Sequence, residues 1–263
     1  SAALLILSLG VFSGMIDDML TTTTRLYHGH LVLAAPGYHD DRDLHAHLPA
    51  STADLPVLAG IDGKLGHTPR LRAFGLLSLA ASSQPVEILG VDPAREPLVT
   101  TLHQQLIAGR YLQPGEAAGV VIGSTLAKKL GATVGSEVVV VTQAADGSIG
   151  NDLLTVRGIF STGDSRHDGR LAVTPLPWLQ QLLVLEGRIH EVTLAVAEPM
   201  SAFTIADRLN TMLPAGTEAR DWGDLLPEMR EVIASFDVSR MIVVGILYFA
   251  TALGILNTCF MSV

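Results

Sequence analysis

Lysine is nearly missing from this 263-residue chain: Lys64, Lys128 and Lys129 are the only three, within 17 basic residues against 26 acidic ones. A net charge of −9 offers no basic face to a polyanion, which excludes a nucleic-acid partner. Charge of either sign is scarce, at 16% of residues, where a soluble domain carries about 25%. The shortage is concentrated: residues 1–16 and 241–263 hold no Asp, Glu, Lys, Arg or His. That excludes a wholly soluble protein with a somewhat greasy core. Cysteine is limited to Cys259, so the charged middle, 17–240, has no disulfide and no thiolate metal site. It must hold together by core packing, and its lack of cysteine fits an oxidising compartment. The 48% hydrophobic content excludes disorder. There is no GxxxxGK[ST] phosphate loop, no GxSxG, no HExxH, and no GxGxxG after a strand. Nucleotide binding by such a loop and the chemistry those motifs carry are therefore not expected.

What is present begins with the two apolar ends. MIVVGILYFATALGILNTCFMSV (241–263) is uncharged and as a helix would measure about 34 Å, against a hydrocarbon core of about 30 Å. Gly245, Ala252, Gly254 and Ser262 are small residues of the kind that let helices approach in lipid, and Asn257 would want a partner there. SAALLILSLGVFSGMI (1–16) lacks the basic leader and cleavage site of a signal peptide and reads as the outer part of a membrane helix. Both ends together suggest an internal piece of a larger membrane protein, with 17–240 on one side. The paucity of lysine favours the outside.

The middle reads as α+β. DDMLTTTTRLY (17–27) continues a helical face. GHLVLAAPGY (29–38) reads as a strand and a turn, 39–53 as loop, and 55–65 as a short helix with Leu55, Leu58 and Leu65 inward. Residues 70–83 and 86–92 pair as a hairpin across Gln84-Pro85, and 95–112 holds a helix ended by Gly109. From Pro114 the texture changes. GVVIG is a strand, Ser124 caps the helix TLAKKL and Gly131 ends it; strands follow at 133–143 and 153–163 around the tip ADGSIGND. LAVTP is a strand, 176–185 a helix, HEVTLAVAE an alternating strand and 201–213 an amphipathic helix with Phe203, Ile205, Ala206, Leu209 and Met212 apolar. From Leu225 one helix runs into the second apolar end, with Pro227 in its first turn. The order suggests one domain interrupted by another. Residues 1–27 would end a first membrane helix and stalk, and 28–113 would form a sheet-plus-helices, porter-like part. An inserted β-rich part would occupy 114–188, the porter-like part would resume over 189–224, and 225–263 would form a stalk helix and the start of a second span.

No residue is singled out as catalytic, cofactor-binding or metal-binding. His28, His30, His39, His45 and His47 crowd beside Asp40, Asp41 and Asp43, but their i,i+2 spacing in strand or loop reads as a solvated segment before it reads as a metal site. The loop DSRHDGR offers Asp164, Arg166, His167, Asp168 and Arg170 with no identifiable nucleophile. Leu182 to Leu185 beside Trp178 reads as core.

Four strings, in order, resemble the permease subunits of FtsX-like, or MacB/LolC/LolE-like, ABC transporters. GHLVLAAPGY (29–38) is similar to that family's first strand after the first span. VVIGSTLAKKLGATVGSEVVVV (120–141) and VRGIFSTGDSRHDGRLAVTPL (156–176) are similar to the beginning and end of the inserted β-rich subdomain, and ILYFATALGILNTCFMSV (246–263) to the start of the second span. The resemblance implies a non-catalytic permease subunit in the bacterial inner membrane, with 17–240 periplasmic or extracytoplasmic. It implies an ABC ATPase partner that hydrolyses ATP, and a second permease, identical or different. It further implies a periplasmic carrier or adaptor protein and, as cargo, a lipoprotein or another amphiphile. No cofactor is implied. The alternative from another class is the ectodomain of a two-span membrane sensor or receptor.

Overall fold

The computed structural model describes residues 24–261, together with Gly10 and Gly14. The chain divides into two units, one of residues 23–222 and one of residues 1–22 with 223–263. In the first, strands and helices alternate: β1 (Leu31–Ala34), α1 (Tyr38–Asp41), β2 (Leu48–Pro49), α2 (Pro56–Ala59), β3 (Lys64–Leu79), β4 (Ser82–Val91), α3 (Glu96–Val99), β5 (Leu106–Gly109), β6 (Gly119–Gly123), α4 (Ser124–Leu130), β7 (Glu137–Gln143), β8 (Ile149–Phe160), β9 (Leu171–Pro175), α5 (Leu176–Leu182), β10 (Arg188–Ile189), β11 (Glu191–Val196), α6 (Ala202–Asn210) and β12 (Glu218–Asp221). The second unit contains α7 (Pro227–Met261).

Pairing makes two zones that share one strand. The path β12-β1-β11-β3 is an open antiparallel sheet on the first half of β3. The second half of β3 belongs to a closed ring, β3-β4-β9-β6-β8-β7 and back to β3. Closure removes the free edges these six strands would otherwise expose. The ring draws two strands from 28–113 and four from 114–188. Its inward positions follow the two-residue period of a strand: Leu77, Val86, Ile88, Val120, Ile122, Val138, Val140, Leu154, Val156 and Ala172 are all buried. Outside the ring a second core forms where Leu89, Val91, Val121, Phe160, Leu171 and Val173 pack with Leu102 and Leu112. Elsewhere the outer wall is open, and Phe74, Leu76, Val139 and Leu153 are exposed.

Several expectations shift by physical causes. The β3–β4 hairpin turns at Ala80-Ala81, with Ala80 at φ 51°, and not at Gln84-Pro85. Pro85 pairs with Leu76 inside β4 and is tolerated because β9 joins β4 only from Glu87 onward, so the other side of the strand is open there. Leu58 is buried as expected, but Leu65 is exposed on β3. Within 95–112 the chain forms one α-helical turn, α3, and a 3-10 turn at Leu102–Gln104 in place of a continuous helix, and Gly109 lies at φ 74° in β5. Ser124 does not cap α4: its hydroxyl donates to Asp168 Oδ2 at 3.3 Å. Gly131 does end that helix, at φ 71°. β11 is buried at every position, since β1 and β3 flank it and α3 packs upon it, so its sequence alternation does not mark a wet face.

Among the described residues no helix is long and apolar enough to cross a membrane. The expected first span, 1–16, lies outside the described residues apart from Gly10 and Gly14, and side chains from 254 onward lie outside them too.

Candidate functional site

The 23–222 unit receives and releases its chain at one place. Antiparallel pairing sets Leu31 of β1 opposite Asp221 of β12. The segment before Leu31 and the segment after Asp221 therefore leave neighbouring strands from the same end. Trp222 N–H closes this corner on the His30 carbonyl at 3.0 Å, and its indole N–H donates to the Pro199 carbonyl at 2.8 Å.

The incoming segment is fastened by a buried charge network. Arg70, on the first half of β3, is fully buried. Its Nε and Nη2 donate to the two oxygens of Glu96 at 3.2 and 2.5 Å, and its Nη1 donates to the Tyr27 carbonyl at 2.8 Å. The Thr100 hydroxyl also donates to Glu96, at 2.8 Å, and Thr101 N–H donates to the Arg25 carbonyl at 2.8 Å. Two residues along β3, Arg72 holds Glu191 of β11 through Nε at 2.9 Å and Nη2 at 2.7 Å, and pairs with Glu87 of β4. Burial alone would raise the Glu191 carboxyl, but Arg72 and Arg70 overcome it and hold the group well below the usual range. Each acid here has a cation and each cation an acid, as burial of charge demands. The result is a cross-tie joining the incoming segment, α3, β3, β4 and β11.

His28, His30 and His190 are absorbed into the same corner, while His45 stays exposed. His190 Nδ1 accepts Arg72 N–H at 3.1 Å, so Nε2 carries the proton that is donated to the Leu44 carbonyl at 3.0 Å. His30 Nδ1 accepts Val196 N–H at 3.0 Å, and burial and the nearby Arg25 lower its pKa to about 4. Burial, with Arg72 close by, lowers His28 to about 3. His167 stacks on Tyr27 with ring centroids 3.6 Å apart. Tyr27, His28, Arg42, Arg72, Glu87 and His167 border a cavity of about 120 Å³. Among the described residues no group of three or more His, Cys, Asp or Glu could hold a metal ion; Asp40 pairs instead with Arg220 at 2.9 Å.

In the 164–170 loop the structure brings Asp168 inward. Its carboxylate accepts from Thr162 N–H at 3.0 Å, the Thr162 hydroxyl at 2.8 Å and the Ser161 hydroxyl at 3.1 Å. This pins the loop between β8 and β9. Trp178, Leu183 and Leu185 are buried, as read, with the Trp178 indole N–H on Asp152 at 2.8 Å, but Leu182 is half-buried and Val184, at φ 55° after the end of α5, is exposed. Sequence reasoning missed Arg70, Arg72, Glu96 and Glu191. The available signal was charge at alternate positions within the apolar strand RLRAF and the lone acid of HEVTLAV.

These features define a mixed α/β domain that combines an open sheet with a closed ring, tied tightly where its two ends meet. A family model described as the MacB-like periplasmic core domain matches residues 1–212, and the chain belongs to that family. Among curated proteins, the lipoprotein-releasing system transmembrane protein LolC of Xylella fastidiosa is 26% identical over 262 residues, covering 96% of this chain and 59% of that protein. The LolC of Neisseria meningitidis is 28% identical over 171 residues, covering 61% of this chain and 40% of that one. The chain thus spans between 40% and 59% of the length of these relatives. The fold resembles the periplasmic region of MacB from Actinobacillus actinomycetemcomitans, with TM-score 0.53 and 16% identity, over 78% of this chain and 94% of that one. It also resembles the extracellular domain of the noncanonic ABC-type transporter YknZ from Gram-positive bacteria, with TM-score 0.51 and 16% identity, over 74% of this chain and all of that domain.

Proposed function

We propose that the chain is the extracytoplasmic domain, with flanking segments, of a permease subunit of an ATP-driven ABC transporter of the lipoprotein-releasing type. One observation carries this reading: the similarity to LolC extends over nearly the whole chain. The common corner of the unit's two ends supports it, because a domain driven through two flanking segments needs both to reach it at one place. In this reading 1–27 and 225–263 lead to membrane helices of the inner membrane, and 17–240 is periplasmic. The porter-like part comprises 28–113 and 189–224, and 114–188 is the inserted part. The subunit is non-catalytic. An ABC ATPase supplies hydrolysis, a second permease completes the pair, and cargo, a lipoprotein or another amphiphile, passes to a periplasmic carrier or adaptor. The sensor alternative draws no support from these relatives.

Affinity purification of the full-length protein from its native membrane tests the reading. A co-purifying ATPase with a phosphate-binding loop is expected. Recovery of a kinase or coiled-coil signalling partner in its place would overturn it.

A further inference from the structure

A groove in the 23–222 unit lies away from the charge network, between α2 with its following loop and α6. It encloses about 530 Å³ and is bordered by Val57, Ile61, Ile205, Leu209 and Met212. That volume falls in the range of about 300–1,000 Å³ typical of small-molecule sites. Val57, Ile61 and Ile205 are half-buried, and Met212 is 47% exposed at the margin. A flexible thioether beside aliphatic walls accommodates an alkyl chain of varied shape.

The groove also carries one charge of each sign, Asp62 from the loop after α2 and Arg208 from α6. Both are exposed. Among the described residues neither forms an ion pair, with the other or with any third group. Two opposite charges on one apolar groove, not paired with each other, complement a ligand bearing both signs. A fatty acid would satisfy Arg208 and meet Asp62 unfavourably; an alkylamine would do the reverse.

We infer that this groove binds a single-chain zwitterionic amphiphile, its phosphate on Arg208, its ammonium on Asp62 and its alkyl chain along Ile61, Ile205 and Met212. That such a ligand travels a transport route rests on the permease reading above; the binding itself does not. A guanidinium suits phosphate by its forked donors, and Thr204 belongs to the same lining.

The test uses the full chain in native membranes and a lysophosphatidylethanolamine carrying a diazirine on its alkyl chain, with labelled peptides mapped by mass spectrometry. Labelling is expected on the 57–62 and 205–212 peptides, with at least a fivefold drop in Met212→Trp, which narrows the groove from an exposed position. Arg208→Glu is expected to reduce labelling by the phosphate probe about tenfold while sparing an alkylammonium diazirine. Asp62→Lys should spare an alkylphosphate probe and reduce the alkylammonium one. Equal labelling by a headgroup-free alkyl diazirine would overturn the zwitterion assignment. Labelling of the 23–222 unit that falls only outside these two peptides, or that is unaltered in Met212→Trp, would overturn the site. Protease resistance of each variant, compared with the parent chain, reports folding. Co-purification of the ATPase is scored separately: its presence with no groove labelling sinks this inference alone, and its absence with labelling intact sinks the permease reading alone.

Discussion

Removing Glu96 should damage the domain far more than removing an exposed acid, and more than removing Arg70 and Glu96 together. With Glu96→Ala the Arg70 guanidinium stays fully buried and keeps only the Tyr27 carbonyl at 2.8 Å and a share of Glu191 at 3.8 Å. Breaking a buried pair from one side costs about 3–5 kcal/mol, because the remaining charge is uncompensated. Arg70→Met strands Glu96 in the same way and also leaves the Tyr27 carbonyl unpaired, worth about 1–3 kcal/mol. The double variant Arg70→Met/Glu96→Met buries no charge at this pair, so its cost should fall well below the sum of the singles and rest mainly on that carbonyl. The control is Arg95→Ala, whose ion pair with Asp54 is exposed at 38% and 66%; about 0–1 kcal/mol is expected there. Urea unfolding followed by tryptophan fluorescence reads this directly, since Trp178 and Trp222 are the chain's two tryptophans and both are buried. With a slope of about 1–3 kcal/mol per molar urea, each single variant should lower the midpoint by about 1 M or more. A cost under about 1 kcal/mol for Glu96→Ala, or strict additivity in the double variant, would refute the cross-tie.

Neighbouring residues on β3 should respond oppositely: Leu77→Ala, inside the ring and fully buried, should cost about 2–5 kcal/mol, and Leu76→Ala, on the open outer wall, no more than about 0.5 kcal/mol; equal costs in the same urea titration would contradict ring closure. Acid should destabilise the domain in two stages. His30, lowered to about 4 by burial, is neutral when folded and protonates near 6.5 when unfolded, so its contribution is complete above about pH 6.5 and falls by about 1.4 kcal/mol per pH unit down to about 4. Glu191, held below the usual range, contributes fully above about pH 4.3 and loses that contribution as pH falls further. His28, lowered to about 3, and His39, lowered to about 4, act over the same range, so His30→Gln should reduce the slope of the first stage by about 1.4 kcal/mol per pH unit without abolishing it; an unchanged slope between pH 4 and 6.5 would remove His30 as a contributor. If α7 transmits force, as the permease reading requires of its 35 residues, two glycines inserted beside Ser239 should leave ATP hydrolysis intact and abolish cargo release in reconstituted vesicles; normal release would discard the lever.

Much of the element order was legible because strand and helix periods are local properties. The alternation in 29–38 located β1, the run GVVIG located β6, and Gly131 ended α4 where a left-handed residue was required. Ring closure was not legible, because it depends on β3 pairing with β7 across more than sixty residues of chain, and no local pattern encodes that register. For the same reason Pro85 misled. Its effect on a strand depends on whether a neighbour lies on its nitrogen side, which is a fact about the sheet and not about the dipeptide. The charge network was hidden for a related cause. Arg70 and Glu191 in isolation read as exposed positions of half-wet strands, and only the burial of both sheet faces turns them into a core pair.

The sharing of β3 gives the network its consequence. Arg70 and Arg72 sit where that strand passes from the open sheet to the ring: Arg70 is paired to Glu191 of β11 on one side and Val91 of β4 on the other. A strand serving two zones could act as a bend between them if its backbone ladder were the sole connection. Here side chains from β4, β11 and α3, and the Tyr27 backbone carbonyl of the incoming segment, all converge on the two guanidinium groups. Bending at that point would separate buried ions from their partners, and each such separation carries the multi-kcal penalty described above. The open sheet and the ring are therefore coupled as one body at this junction. A spin-label pair reporting the distance between Ser83 and Thr217 should accordingly stay in one narrow distribution in the parent chain and broaden in Arg72→Met; a broad distribution in the parent would show that the junction bends despite its cross-tie.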